Sequence, residues 1–374
     1  MLKNLLLFTA LTACVFNQTF GQVYSDKVVG EKNEVLKDSI VVNPYPYKLP
    51  IWGAKVAAKG YDLPYSAGVS VNYFTQESSL ILDNLYVGFN NGPQLDLNEV
   101  VRFDDCTAWA AATTVRPDIW LFPFLNVYGL IGKGNSSTSV NAGIYVPNVN
   151  DEWNQVFAFS TKAEFTVTSY GFGLTPTMGI GGGWLALDMN CAWTNVSALD
   201  KPVFTYVFGP RLGKTFKFGR PEQNIAFWVG GFRVNFTSET SGSLNLSEVV
   251  PVDQLQPKID AGLQKVENGQ IAADEWWAGL KPIEKTDPVN IAKYEVANRA
   301  LDRAGNFLTN MDNALNDDKS TTVQYSLDKQ LKDKWNFLIG SQYQLNKHYM
   351  LRAEYGFLGS RQQFMCSLQY RFRL

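Results

Sequence analysis

Residues 335–374 constrain the chain more than any other stretch. They hold a two-residue period through three successive segments, WNFLIGSQYQLN, KHYMLRAEYGFL and RQQFMCSLQYRFRL. In the last of these Phe364, Cys366, Leu368, Tyr370, Phe372 and Leu374 share one side, and Met365, Ser367, Gln369, Arg371 and Arg373 the other. Side chains alternate across a strand, so the segment has one apolar and one polar face. Tyr349, Leu351, Ala353, Tyr355 and Phe357 repeat the pattern against Met350, Arg352, Glu354 and Gly356. Long strands with aromatics on the apolar face suit the wall of a barrel in lipid.

A spanning helix needs roughly 20 consecutive apolar residues. The longest apolar run, LFPFLNVYGLIG from Leu121, is broken by Pro123, Asn126 and its glycines. Residues 1–21 nevertheless read as an export signal: Lys3, then an apolar stretch from Leu5 to Cys14, then Thr19-Phe20-Gly21 as a cleavage site. Leu11-Thr12-Ala13-Cys14 offers a second reading, a lipobox that would acylate Cys14. Backbone polar groups in lipid must be paired internally, so an exported membrane chain without spanning helices is a barrel. Composition agrees. The 374 residues are 14% aromatic and 18% charged with a single His, a balance that suits a lipid-facing surface. A formal charge of −2 leaves no basic footprint for nucleic acid. Cys106, Cys191 and Cys366 remain after signal removal, an odd count without CxxC spacing, which argues against disulfides or a zinc site.

On its terminal alternation, ending Tyr370, Phe372, Leu374, the chain resembles the outer-membrane β-barrels of Gram-negative bacteria. In that family an alternating aromatic carboxy-terminal strand is the signal read by the barrel-assembly machinery. Many members end on Phe, whereas here Phe372 is third from last and Leu374 closes the chain. The resemblance covers residues 65–374. It implies an all-β, antiparallel membrane barrel, with outer-membrane lipid and the assembly machinery as partners. It attaches no particular solute.

Along the chain, residues 22–64 read as a periplasmic extension without a core, rich in Pro and Tyr from Asn43 to Pro50. Wall strands follow from Ala67, with Leu80 to Phe89 either another strand or part of a loop reaching Asp105. The turn at Leu121-Phe122-Pro123 carries interface aromatics. Residues 133–162, rich in Asn and Ser, read as a loop. Two strands flank Gly179 to Gly183, one carrying Tyr170, Phe172, Leu174 and Met178 outward. In AFWVGGFRVNF the pattern places Trp228, Phe232, Val234 and Phe236 on the apolar outer face, opposite Arg233 and Asn235.

Between 251 and 318 the period becomes helical. Leu255, Ile259, Leu263 and Val266 start one helix. Pro288 opens a second, with the stripe Tyr294, Ala297, Leu301, Ala304, Leu308, Met311 and Leu315. This is a helical insert between two strands, which GSLNL and TVQYSL extend as its stalk. Strand counting gives ten or twelve, since bacterial single-chain barrels are even. With Leu374 periplasmic, the insert and the long loops fall outside the cell.

The inward positions supply the candidate site: Arg116, Asp118, Asp188, Arg211, Arg233, Arg352, Glu354 and Arg371, with Lys217 and Arg373 on the same faces. They read either as ion pairs filling a small barrel or as the lining of a narrow pore that favours anions. Asp188 and Glu354 sit close to arginines, which favours ion pairing over acid–base work. His348, beside a turn, reads as solvated, and no Ser-His-Asp arrangement is visible. The expectation is a non-enzyme without cofactor or metal. It is either a narrow channel for small polar or anionic solutes, or a surface-binding or structural barrel acting through the insert. Trp276 and Trp277 are then the candidate partner contacts.

Overall fold

The computed structural model describes residues 45–59, 61, 63–197, 199–220, 222–236, 239–246, 255–316 and 321–374. The export signal and Cys14 lie outside these residues. Among those described, ten strands pair antiparallel in a closed ring. They are β1 (Ala67–Phe89), β3 (Val101–Phe122), β4 (Leu125–Pro147), β5 (Trp153–Ile180), β6 (Gly183–Val196), β7 (Val203–Lys217), β8 (Asn224–Phe236), β11 (Trp335–Gln344), β12 (Tyr349–Phe357) and β13 (Arg361–Phe372). The ring closes where β13 pairs back onto β1, from Ala67↔Phe372 to Ser78↔Arg361. A closed ring leaves no edge and pairs every backbone group of the wall, which is what a barrel in lipid requires.

Both described ends of the ring lie with its tight turns. At Ile180–Gly183 the turn is made by Gly181 and Gly182, both at positive φ (55° and 79°), the conformation a two-residue hairpin needs. The outer face near these turns is apolar: Val69, Val71, Leu212, Phe227, Leu351 and Leu368 are exposed. Aromatics bound the band. Phe122, Phe124, Phe216, Phe218, Tyr349 and Tyr370 lie at the turn end, and Trp109, Trp335 and Phe337 at the other. The band stops where the outer face becomes charged, as at the exposed Lys162–Glu164 pair on β5.

Beyond that level the wall splits. β12 and β13 turn back at Leu358–Ser360, whereas β1, β3, β4 and β5 run on. The gap above the short hairpin is taken by β10 (Thr322–Leu331), which pairs with β1 from Leu80↔Leu331 to Phe89↔Val323. β9 (Glu239–Asn245) lies on its far side, and β2 (Leu95–Asp96) pairs with β1 at Tyr86 and Val87. β1 therefore has β13 as its neighbour low down and β10 higher up.

The helical insert joins β9 to β10. Two α-helices, α2 (Leu255–Gly279) and α3 (Pro288–Asn316), form an antiparallel hairpin; a five-residue helix α1 (Gly53–Ala57) lies before β1. The hairpin stripe (Leu255, Ile259, Leu301, Ala304, Leu308, Met311) meets Leu85, Val87, Val101, Ala142, Ile144 and Phe157 in one buried cluster. On β4 the buried residues Ala142 and Ile144 continue the face that carries Asn126 and Tyr128 lower down. The hairpin is thus folded inward over the end of the lumen. Peripheral ion pairs hold it there: Arg299 to Glu99 (2.9 Å), Arg303 to Asp96 (3.2 Å) and Lys293 to Asp151 (2.6 Å). A second apolar cluster, Leu80, Leu82, Cys106 and Leu331 with Phe103, Val140 and Leu327 against it, fills the wall just beneath.

Several expectations change. Leu80 to Phe89 is neither a separate strand nor a loop but the second half of β1. Most of residues 133–162 are strand: β4 runs to Pro147 and β5 begins at Trp153. Their Ser and Asn content hid an inward Val140, Ala142, Ile144 alternation that has a helix to pack against. Trp228 and Phe232 are buried inside the barrel, and Phe227 and Val229 take the outer face. Both faces of that strand are apolar, so periodicity alone does not choose between them. Arg233 consequently leaves the lumen. It pairs across the ladder with Trp335, which is exposed on the outer face. His348 is packed rather than solvated: its ring stacks on Tyr370 (5.5 Å), lies 4.7 Å from Tyr65, and places Nδ1 2.9 Å from the Arg371 carbonyl oxygen. From Tyr45 onward the extension lies on the rim at the turn end. There the Ile51 N–H donates to the Leu121 carbonyl (2.9 Å), and Trp52 rests on Phe122 (5.0 Å).

Candidate functional site

Seven of the eight inward candidates converge in the lumen. Alternation fixes their direction, and the small residues around them fix how far they can reach. A Cβ at Gly340 would stand 2.3 Å from Trp228, and one at Gly213 would stand 2.3 Å from Trp184. Each indole is laid flat over a glycine of the neighbouring strand, leaving the centre of the barrel to the charged side chains.

Arg211 is the hub. Its Nε and Nη2 donate to the two carboxylate oxygens of Glu354 (2.8 and 3.1 Å), and its Nη1 donates to Asp188 (3.1 Å). Glu354, on β12 and separated from β7 by β8 and β11, also accepts from the Arg352 guanidinium and from the Trp228 Nε1–H (3.0 Å). Asp188 accepts in addition from the Tyr128 hydroxyl (2.6 Å) and Thr175 (2.9 Å). Arg116 lies over the Tyr128 ring at 3.6 Å. Nearer the turn end, Asp118 accepts from Asn126 (2.8 Å) and Gln369 (2.7 Å), and Arg371 Nη2 lies 3.1 Å from it. The Arg371 Nε–H is spent on the Tyr65 carbonyl (3.0 Å), which ties the rim segment to the lumen.

This is a layer of charge across the barrel. Charged hydrogen bonds of bidentate geometry are among the strongest available to side chains, and in a low-dielectric interior they rigidify what they connect. β6, β7 and β12 are thereby joined through the lumen as well as through the wall. What remains open is a cavity of about 80 Å³ bounded by Arg116, Asp118, Asp188, Arg211, Arg352 and Arg371, with Trp120, Trp184 and Trp228 among its walls. Every carboxylate oxygen of Asp118, Asp188 and Glu354 already accepts a hydrogen bond, so none stands free as a base. Among the described residues no group of three or more His, Cys, Asp or Glu gathers as a metal site.

Tyr128, Asn126, Trp228 and Gln369 belong to this layer and were not singled out from the sequence. Gln369 shares inward parity with Arg371 on β13, whereas β4 and β8 carry no inward charge that would have pointed to Asn126, Tyr128 or Trp228. Trp276 and Trp277 are at the tip of the helical hairpin, away from the lumen. Trp277 stacks on Tyr294 (4.7 Å, 11° between planes) and so joins α2 to α3; Trp276 lies 6.3 Å from it. Tyr370 and Leu374 are exposed at the turn end, and Phe372 pairs with Ala67 at the seam.

No family model matches the chain, and no curated protein matches it in sequence. Among solved structures, the beta domain of the Bordetella autotransporter BrkA is similar at 8% identity, with 82% of this chain and 100% of that one covered and a TM-score of 0.30. An outer membrane channel from Pseudomonas putida F1 gives 11% identity, 83% and 96% coverage and a TM-score of 0.26. The Ralstonia pickettii toluene transporter TbuX gives 7%, 95% and 97%, and 0.28. Overlaps this low carry no assignment, which rests on the chain's own pairing. The closed antiparallel ring and its exposed apolar band make this a membrane β-barrel that resembles the outer-membrane barrels of Gram-negative bacteria.

Proposed function

We propose that the chain is an outer-membrane barrel with a sealed lumen, acting as an anchor that presents its helical hairpin at the cell surface for a binding or structural role, without enzymatic activity. One observation carries the reading: the apolar stripe of α2 and α3 completes a buried core with the inward face of the wall, so the far end of the lumen is closed by packing. Ten strands also leave little room inside, since a barrel near eight strands is filled by its own side chains. The outer-membrane location is supported by the export-like residues 1–21 and the apolar band, and the surface position of the hairpin by the short turns at the other end. A contact role for the hairpin tip is supported by its apolar exposure, with Ile283 78% and Val289 59% accessible.

The deciding experiment is electrical. Full-length protein reconstituted in planar bilayers should show no steady single-channel conductance, and steady openings would overturn the reading. A second reading, a narrow passage for small polar or anionic solutes, is favoured by the excess of arginine over carboxylate in the lumen. It requires openings that Arg211→Glu or Arg352→Glu changes.

A further inference from the structure

The charged layer does not balance. Arg116, Arg211, Arg352 and Arg371 are four guanidiniums; Asp118, Asp188 and Glu354 are three carboxylates. Arginine stays protonated in proteins, and protonating a carboxylate would only widen the imbalance. One positive charge is therefore left over in an interior walled by indoles, where an uncompensated charge is costly.

Hydrogen bonding shows the same deficit. The carboxylate oxygens are all engaged, yet the buried Arg116 Nε and Arg352 Nε have no hydrogen-bond acceptor, and Arg371 Nη2 meets Asp118 only as an ion pair at 3.1 Å. Arg371 borders the same cavity and is only 2% exposed. What the layer lacks is both an acceptor and a negative charge. The cavity these groups border, about 80 Å³, offers roughly five times the space one water needs. A water could accept from one guanidinium but brings no charge. A multivalent oxyanion would reverse the imbalance rather than remove it.

We propose that this cavity is a binding site for one monovalent anion of halide size, held by Arg116, Arg352 and Arg371 and accompanied by water. The ion completes the charged layer as a structural ligand. The inference goes beyond the sealed-barrel reading and does not depend on it, because a resident ion implies no conductance.

Bromide is the probe. Crystals of the full-length protein in millimolar bromide should give an anomalous peak inside the cavity, within contact distance of the named guanidiniums. Thermal unfolding in detergent should shift upward and saturate as chloride replaces gluconate at constant ionic strength. Arg352→Gln and Arg116→Gln, each of which removes the surplus charge, should lose that dependence. A cavity without bromide, a peak that appears only at molar bromide (an adventitious ion only), or an unchanged chloride dependence in the variants overturns the proposal. If neither variant folds, the native bromide map decides alone.

Discussion

Glu354→Gln tests how the lumen is held together. The substitution keeps the shape and leaves an acceptor for Trp228, so it removes charge and little else. Glu354 is 3% exposed and takes two hydrogen bonds from Arg211 as well as those from Arg352 and Trp228. After the change Arg211 retains Asp188, whereas Arg352 loses the carboxylate it is paired with. Stranding one member of a buried ion pair costs about 3–5 kcal/mol, far more than the net value of the pair itself. The double variant Arg352→Met with Glu354→Leu removes one charge of each sign and should recover most of that loss. Urea unfolding of the full-length protein in lipid vesicles, followed by tryptophan fluorescence, measures both. A single-variant loss below about 1 kcal/mol, or a double variant as unstable as the single, would refute the reasoning.

Three further outcomes follow from buried groups elsewhere. Arg361 is 1% exposed, its Nε and Nη1 have no acceptor, and the Phe232 ring lies 4.4 Å away; Arg361→Met should leave unfolding free energy unchanged or raised, and a loss above about 2 kcal/mol counts against the argument. Ile259→Ala and Leu308→Ala, both at fully buried positions of the hairpin, should each cost about 2–5 kcal/mol of local stability, read as faster proteolysis of the insert with the barrel intact. Burial beside Cys106 pushes the Lys329 ammonium down to about 8, against 10.5 ordinarily. The unfolded chain binds the extra proton between those values, so native stability should rise with pH across that window and Lys329→Met should flatten the rise; a parallel slope in the variant would remove the claim.

The wall was legible in the sequence wherever one face is apolar and the other polar. The Phe364 to Phe372 alternation gave both the strand and its orientation, and with it the inward Arg371. The same reasoning failed on β8, where Phe227 and Val229 look as apolar as Trp228 and Phe232. There the faces are distinguished by the ladder to β7 and β11, which no local pattern carries. Arg233 was misplaced for that reason alone. The hairpin helices were readable from their three-four spacing, but not the surface they cover, because that surface is built from the Ser- and Asn-rich stretch of β4. Arg211 could be placed inward; that it spans from Asp188 to Glu354 depends on the curvature of a ten-strand ring, which brings β12 within its reach past β8 and β11.

The split partnership of β1 bears on how the ring can open. In a simple barrel the seam between first and last strands is a single zipper, closed by one ladder. Here the ladder to β13 ends at Ser78, and from Leu80 the same strand is gripped by β10, which comes from the middle of the chain. Parting β1 from β13 would therefore not free β1: β10 bridges the top of the seam like a clasp across a hinge. A side exit from the lumen into the bilayer along that seam would have to be a slot closed at its upper end. Final closure during assembly likewise couples three chain regions, the first strand, the last strand and the stalk of the insert, into one event.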